Sequence, residues 1–211
     1  MSVELLHVMG DDLMVVNAAR VSFEKVSTEL SQADTRLIRY LTSHHHISPF
    51  FHPQIQFRIR MPLFIAREWY RHTIGFARNE VSRRYVDSRP ECWIPLPEEI
   101  REKDLNKKQG SRSTAVEESD ECAKEMQNVI SHSITTYESL LSKGVAPEIA
   151  RTILPQSMYT EFIETGSLGA YARLYKLRTG ADAQREIQSY ARKISAILAE
   201  KFPISWNALV G

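Results

Sequence analysis

Along most of this chain apolar residues recur three and four positions apart, and one stretch clearly breaks that rhythm. Leu13, Val16 and Ala19 begin a helical segment behind Asp11 and Asp12, two acids well placed for a helix N-terminus. Ser31 through His44 reads as a second helix, with Leu37, Ile38 and Leu41 on one face. His46-Ile47-Ser48-Pro49-Phe50 breaks it, because a residue ahead of proline avoids the helical region. The period then changes to two. Ile55, Phe57 and Ile59 alternate with Gln54, Gln56, Arg58 and Arg60, the pattern of a half-buried strand. Pro62 suits a first helical turn and opens a helix through Leu63, Phe64, Ala66, Arg67 and Tyr70. Val3 to Val8 is a weaker strand candidate, and Arg84 to Pro95 reads as irregular or extended.

Residues 98–125 carry no aromatic side chain and many charges of both signs, centred on Lys107-Lys108-Gln109-Gly110-Ser111. They are expected to form a charged, flexible loop around 101–118 rather than a boundary, since neither side shows a complete pattern of its own. Beyond it, Cys122, Met126, Val129, Ile130, Tyr137 and Leu141 trace one face of a long helix. Pro147 to Leu154, Ser167 to Leu177 and Asp182 to Lys201 read as three more, the last turning Ile187, Tyr190, Ala191, Ile194 and Leu198 inward. The expectation is an α/β (α+β) fold: one helix-rich domain over 1–211 with a small central sheet.

The 211 residues are 43% hydrophobic and 25% charged, ordinary values that exclude collagen, a disulfide-rich scaffold or a disordered tail. Lys+Arg 27 against Asp+Glu 26 leaves a net charge of +1, so no global field draws the chain to nucleic acid or a membrane. No run reaches the roughly 18 apolar residues of a membrane span, and the N-terminus has no basic stretch ahead of an apolar one. Cys92 and Cys122 form no CxxC. These features together favour a cytosolic protein. No glycine pattern matches GxGxxG or GxxxxGK[ST], and neither GxSxG nor HExxH occurs, so any nucleotide is held by other means.

The densest feature runs from Arg67 to Arg84. Its 18 residues hold five Arg and two Glu, 5 − 2 = +3, while the remainder nets 1 − 3 = −2. Arg offers a planar fork for phosphate or carboxylate and stays charged when desolvated. On a helix, Arg67 and Arg71 would share one face, with Glu68 and His72 on the neighbouring one. Trp69, Tyr70 and Phe76 interleave the run, which favours a pocket for a phosphorylated ligand over a solvated stripe of Arg–Glu pairs. A second basic cluster comprises Arg151, Arg173, Lys176 and Arg178, the last also suited to a helix C-terminus. His44-His45-His46 does not read as a metal site, because successive helical residues point about 100° apart. Beside Phe50, Phe51 and His52 it suits a lid or a stacking surface. Cys92 has no histidine within 15 residues of it in sequence and reads as a small buried residue rather than a nucleophile.

Arg71-His72-Thr73 followed by Arg78-Asn79-Glu80-Val81-Ser82-Arg83-Arg84-Tyr85 resembles the signature of the flavin-dependent thymidylate synthases: Arg-His-Arg, seven residues, then Ser-x-Arg. Val8 to Leu13 with Ala18 to Phe23, the His46 to Phe57 turn and strand, Ile149 to Pro155, and Leu177-Arg178 with Ala183 to Gln188 follow in the family's order. The resemblance implies methylation of dUMP at C5 to dTMP, with methylenetetrahydrofolate as carbon donor and NADPH as reductant through bound FAD. It also implies a homotetramer whose active sites draw on several subunits, with no metal and no nucleic-acid partner.

By this resemblance Arg178 and Ser82 stand at the catalytic centre, Arg178 holding a developing anion and Ser82 orienting the nucleotide. Arg71, Ser82, Arg84, Arg151 and Arg178 would contact dUMP, with Glu68, Trp69, Tyr70, Glu80, Val81 and Arg83 completing its pocket. FAD would meet Ser48, Arg71, His72, Thr73, Arg78, Glu80, Ser167, Leu168, Gly169 and Arg173, and His46 would stand at the folate and flavin entrance. Thr73 occupies the place of the family's second Arg, and Ser82 lies one residue further on than usual. Arg78 is expected to swing in and supply the missing charge. Ser167 and Arg173 stand where Asn is frequent, and Glu68 where Gln is. Three other readings remain: an Arg-rich nucleic-acid-binding module, a flavin-binding NADPH oxidase without methylation, and a cysteine-dependent synthase acting through Cys92.

Overall fold

The computed structural model describes residues 2–86, 88–106 and 110–211. In chain order the elements begin with strand β1 (Ser2–Met9), helices α1 (Asp12–Arg20) and α2 (Gln32–Ser43), strand β2 (Gln54–Pro62) and helix α3 (Leu63–Trp69). Strands β3 (Phe76–Glu80), β4 (Arg101–Lys103) and β5 (Ser111–Ala115) follow, then helices α4 (Ser119–Ser142) and α5 (Pro147–Ala150). Strand β6 (Tyr159–Ser167) and helices α6 (Leu168–Arg178), α7 (Arg185–Lys201) and α8 (Pro203–Val210) end the chain. The fold is helix-rich α+β with a small sheet, as the apolar spacing predicts. The chain divides into two compact units: Met1–Ile59 with Trp69–Asn79 and Phe162–Gly211, and Arg60–Glu68 with Glu80–Glu161.

The first unit holds most of a four-stranded sheet of order β1-β2-β6-β3. β2 buries Ile55, Phe57 and Ile59 completely, which is the alternation its sequence shows. β6 is not evident in the sequence. Its inward positions include Thr160, Phe162, Glu164 and Gly166, whereas Ile163 is exposed, so polar and apolar residues are exchanged relative to an ordinary half-buried strand. Helices α1, α2, α6, α7 and α8 pack together, with Val16, Ile38, Leu174, Ile194, Leu198 and Trp206 in the core.

The helix starts match their chemistry. The Asp11 carboxylate accepts from the Met14 amide at 3.0 Å and caps α1. Asp12, 2% exposed, reaches across the sequence and accepts from the Ile204 and Ser205 amides at 2.9 and 2.8 Å, capping α8. Ser31 and Asp34 form a capping box on α2, and Arg20 pairs with Asp34 at 2.6 Å. The Ser31 hydroxyl bond, aided by Arg20, holds the Asp34 carboxyl down at about 2.

In the second unit α4 buries Ile130, Ile134 and Tyr137, while Met126 and Val129 are exposed and Cys122 is half-buried. The apolar face is therefore narrower than the sequence implies. β4 and β5 pair antiparallel, Arg101 opposite Ala115 and Lys103 opposite Ser111, where the sequence predicts a loop. The hairpin is held by polar cross-strand bonds: Arg101 Nε to Ser111 Oγ at 2.8 Å, and Arg112 and Thr114 to the Glu102 carboxylate. With no apolar face, it carries no alternating signal. The centre of the expected loop, Lys107 to Gln109, lies outside the described residues. Among the described residues, no helix is long and apolar enough to cross a membrane.

Candidate functional site

The Arg-rich run is only partly helical. α3 ends at Trp69, so Arg71 and His72 lie on the turn that follows, and the sharing of helix faces expected for Arg67 with Arg71 and for Glu68 with His72 does not occur. Gly75 ends the turn at φ +81, and a Cβ there would stand 2.9 Å from Ala170 Cβ and 3.1 Å from Ser167 Oγ. Glycine at 75 is thus required both by the backbone and by the close approach to α6.

Three hydrogen bonds fasten this turn to α6 within the first unit. Ser167 N donates to Gly75 O at 3.1 Å, Arg173 Nη2 to Ile74 O at 3.1 Å, and Arg178 Nε to His72 Nε2 at 2.8 Å. Ser167 also caps α6, its hydroxyl accepting from Ala170 N, and Leu168 and Gly169 are buried in the first turn. The turn at Ser48–Phe51 packs against this same end of α6; a Cβ on Gly169 would lie 3.4 Å from Phe51 and 3.5 Å from Phe50 O. Ser48, His72, Thr73, Ser167, Leu168, Gly169, Arg173 and Arg178 therefore gather around one helix. His46 is exposed and belongs to an aromatic group with Tyr40 and His44, the Tyr40 and His44 rings stacking at 4.0 Å. Among the described residues no His, Cys, Asp and Glu are grouped to hold a metal ion.

His72 is 6% exposed. Burial, then the charges of Arg178, Arg173, Arg78 and Arg71, pushes it down to about 4, so the imidazole is neutral at neutral pH. Arginine only donates, so Nε2 carries the lone pair and the ring proton sits on Nδ1. A flavin contact by His72 in this arrangement falls to Nδ1–H alone. The linkage to stability follows from the direction of the shift. An unfolded His titrates near 6.5, above the folded value of about 4, so the unfolded state takes up the proton first as pH falls. Stability from this group is complete above about 6.5 and is lost down to about 4. We expect a loss of roughly 1–2 kcal/mol over that window, after allowing for solvent screening of the arginines. Urea titrations at stepped pH check it, and His72→Gln should flatten the curve.

Arg78, expected to supply the charge that Thr73 lacks, is committed elsewhere. From β3 its Nε bonds the Glu164 carboxylate, and its guanidinium lies over Phe76 at 4.8 Å and Tyr70 at 5.6 Å. Glu164 is fully buried and accepts from Trp69 Nε1 at 3.1 and 3.2 Å. Burial pushes its carboxyl up, against the opposing charge of Arg78. Trp69 is thus a buried strut for Glu164, and Tyr70 packs edge-on to Phe162 at 5.1 Å. Arg78 Nη2 is buried with no acceptor among the described residues. Glu164 was not singled out by sequence; an acid at an inward position of a period-two segment is the signal that exposes it.

The remaining candidates lie in the second unit. Glu80 accepts from Thr160 Oγ1 at 2.5 Å, and Val81 N donates to Glu161 O at 2.9 Å. Ser82 opens a turn, its hydroxyl accepting from Arg84 N at 3.3 Å. Arg83 bonds Ser88 O, and Arg84 pairs with Glu148 of α5 at 3.5 Å, both half exposed. Arg151 is exposed in the 3-10 turn after α5, and Glu68 is half-buried. Burial pushes the Cys92 thiol up, which lowers its thiolate fraction and its worth as a nucleophile.

The family model described as thymidylate synthase complementing protein matches residues 4–204. A flavin-dependent thymidylate synthase of Thermus thermophilus is 38% identical over 206 residues, covering 98% of this chain and 74% of the relative. One from Thermosipho melanesiensis is 38% identical over 209 residues, with 98% and 89% covered. In crystal structures, a UMP/dUMP methylase of Streptomyces cacaoi bound with 5-Br dUMP superposes with a TM-score of 0.88 at 30% identity, over 98% of this chain and 93% of the other.

Proposed function

Because this chain belongs to the thymidylate synthase complementing protein family, we propose that it is a flavin-dependent thymidylate synthase that methylates C5 of dUMP. The carbon donor is methylenetetrahydrofolate and the reductant NADPH, in a homotetramer with active sites shared between subunits, the whole of 1–211 serving as one synthase domain. The observation that carries the reading is the set of four arginines, Arg71, Arg78, Arg173 and Arg178, that bears on one neutral histidine in the first unit. One buried carboxylate, Glu164, answers Arg78. Such a gathering of arginines suits the phosphates of FAD and of a nucleotide without a Rossmann motif.

FAD, when bound, supplies the electrons drawn from NADPH that complete the transferred carbon as a methyl group. The chain's own contribution is electrostatic. Uracil C5 becomes nucleophilic when density from N3 is pushed into the ring. Arg178 is too weak an acid to take part as a base, so it acts by holding the enolate-like anion. Ser82 orients the nucleotide, while Arg71, Arg84 and Arg151 bind it. Ser48, Thr73 and the start of α6 receive the flavin, and His46 stands at the folate entrance. The raised Cys92 thiol supports this route over cysteine addition to C6.

The test is tritium release from C5-labelled dUMP by purified protein, with FAD, methylenetetrahydrofolate and NADPH each omitted in turn. Release that needs all three, with dTMP as product and undiminished in Cys92→Ala, is the expected result. A flavin-bearing protein that oxidises NADPH but forms no dTMP would overturn methylation. A protein that binds oligonucleotides and no flavin would overturn the reading altogether.

A further inference from the structure

We propose that Glu164 is a positioning residue: its one carboxylate clamps both ends of the turn that carries Arg71, His72 and Thr73, fixing where those side chains meet the ligands. The kinetic half of the inference rests on the reading of this chain as a dUMP methylase. Its starting point is where the two donors to Glu164 lie. Trp69, the last residue of α3, donates from Nε1 at 3.1 and 3.2 Å, and Arg78, in β3, donates from Nε. The chain between them, residues 70–77, leaves α3, turns and enters β3. The Arg78 guanidinium also lies over Phe76 and Tyr70, two rings of that same stretch, at 4.8 and 5.6 Å. Tying the two ends to one point removes freedom that a loop of this length otherwise has.

The turn needs such a frame because its outward side chains have none of their own. Arg71 and Thr73 are exposed, and among the described residues neither side chain makes a hydrogen bond. Glu164 is itself well held: it has no exposed surface and stands on β6 just ahead of Ser167, whose amide bonds Gly75 O at 3.1 Å. Stability alone is a poor reason for the pair. Apolar residues of similar volume serve a core about as well as a buried ion pair does. Arg78 Nη2 is moreover buried with no acceptor among the described residues, a cost that an apolar side chain avoids. What apolar side chains cannot do is bond two chosen points of the chain at once. A carboxylate, with two acceptor oxygens, does. The clamped stretch also contains Thr73, where the sequence departs from the family's Arg-His-Arg.

The experiment compares wild type, Arg78→Met, Glu164→Leu and the double variant Arg78→Met/Glu164→Leu, each with and without added FAD. It measures thermal midpoint, hydrogen exchange of the backbone amides, and kcat and KM for dTMP formation. The double variant strands no charge and should melt within about 4 °C of wild type. It lacks the clamp, however. The His72 and Phe76 amides, bonded to Trp69 O and Thr73 O at 3.1 and 3.2 Å, should therefore exchange about tenfold faster or more, with the amides of α7 unchanged. Its kcat should fall about 10- to 100-fold despite the recovered midpoint, the size expected of misplaced groups. A purely structural pair predicts that exchange and activity return with stability. Wild-type exchange or wild-type kcat in a stable double variant thus overturns the inference. If the double variant does not regain stability, Glu164→Gln decides, because its amide offers one oxygen where the carboxylate offers two. Faster exchange confined to residues 70–77 then supports the clamp, and exchange that is unchanged or faster throughout the chain overturns it. Wild type that forms no dTMP overturns the functional reading, a result separable from the exchange comparison, which tests the clamp without any turnover.

Discussion

Arg78→Ala is expected to destabilise the protein by about 3–5 kcal/mol, the effect of stripping the partner from a buried charge. Glu164 has no exposed surface, and its carboxylate is met by Arg78 and Trp69. With Arg78 gone, the carboxylate must stay ionised without a countercharge or take up a proton, and both are uphill. At this chain length, the loss corresponds to a fall in thermal midpoint of roughly 6–20 °C. The reciprocal change separates charge from packing. In Arg78→Met with Glu164→Leu no charge is stranded, so the double variant should recover most of the stability lost by Arg78→Met alone. Denaturant unfolding of the four proteins in the cycle measures it. A single variant within 1 kcal/mol of wild type would show that Glu164 is protonated and satisfied by Trp69, and the pair would then not be an ion pair.

The second large effect is chemical. Arg178→Ala should lower kcat/KM for dTMP formation about 10²- to 10³-fold, the range for removing one preorganised donor from a developing anion. Its effect on folding should be moderate, about 1–3 kcal/mol, because Arg178→Ala removes both the helix-dipole contribution at the end of α6 and the bond to the buried His72. Arg178→Lys should restore little, since a point charge has no Nε to meet His72 and no planar edge for the ring. Steady-state rates set beside thermal midpoints check both halves of the claim. A fivefold loss or less would remove Arg178 from the centre of the chemistry.

Much of the helical frame is legible because it is amphipathic: Ile187, Tyr190, Ala191, Ile194 and Leu198 recur at helical spacing and are all buried. β2 is legible for the same reason at period two. The elements that escape notice have inverted or polar patterns. β6 puts Glu164 inside and Ile163 outside, because a partner arginine arrives from a segment 86 residues away. The β4–β5 hairpin is held by side-chain hydrogen bonds that leave no apolar trace. At the site, the residue types are plain in the sequence but their commitments are not. Arg78 looks available for a ligand until Glu164 is seen beneath it, and His72 looks like a flavin contact until Arg178 occupies its Nε2. Both commitments depend on pairs 86 and 106 positions apart, which no local pattern encodes.

The Asp12 cap on α8 has a temporal consequence. Its two donors are 192 and 193 residues downstream, and the first unit draws its last piece from Phe162–Gly211. During synthesis at about 5–20 residues per second, the opening segment therefore waits on the order of ten seconds or more for the strand and helices that complete it. Through that interval Asp12 has no amides to cap, and Phe57 of β2 lacks the Tyr171 ring of α6 that will pack edge-on against it. Contacts of such long range slow folding and prolong the exposure of sticky surface. Most of the second unit, Glu80–Glu161, is by contrast continuous in sequence and can order itself first. The chain's beginning is thus the part most dependent on whatever shields nascent polypeptides in the cell.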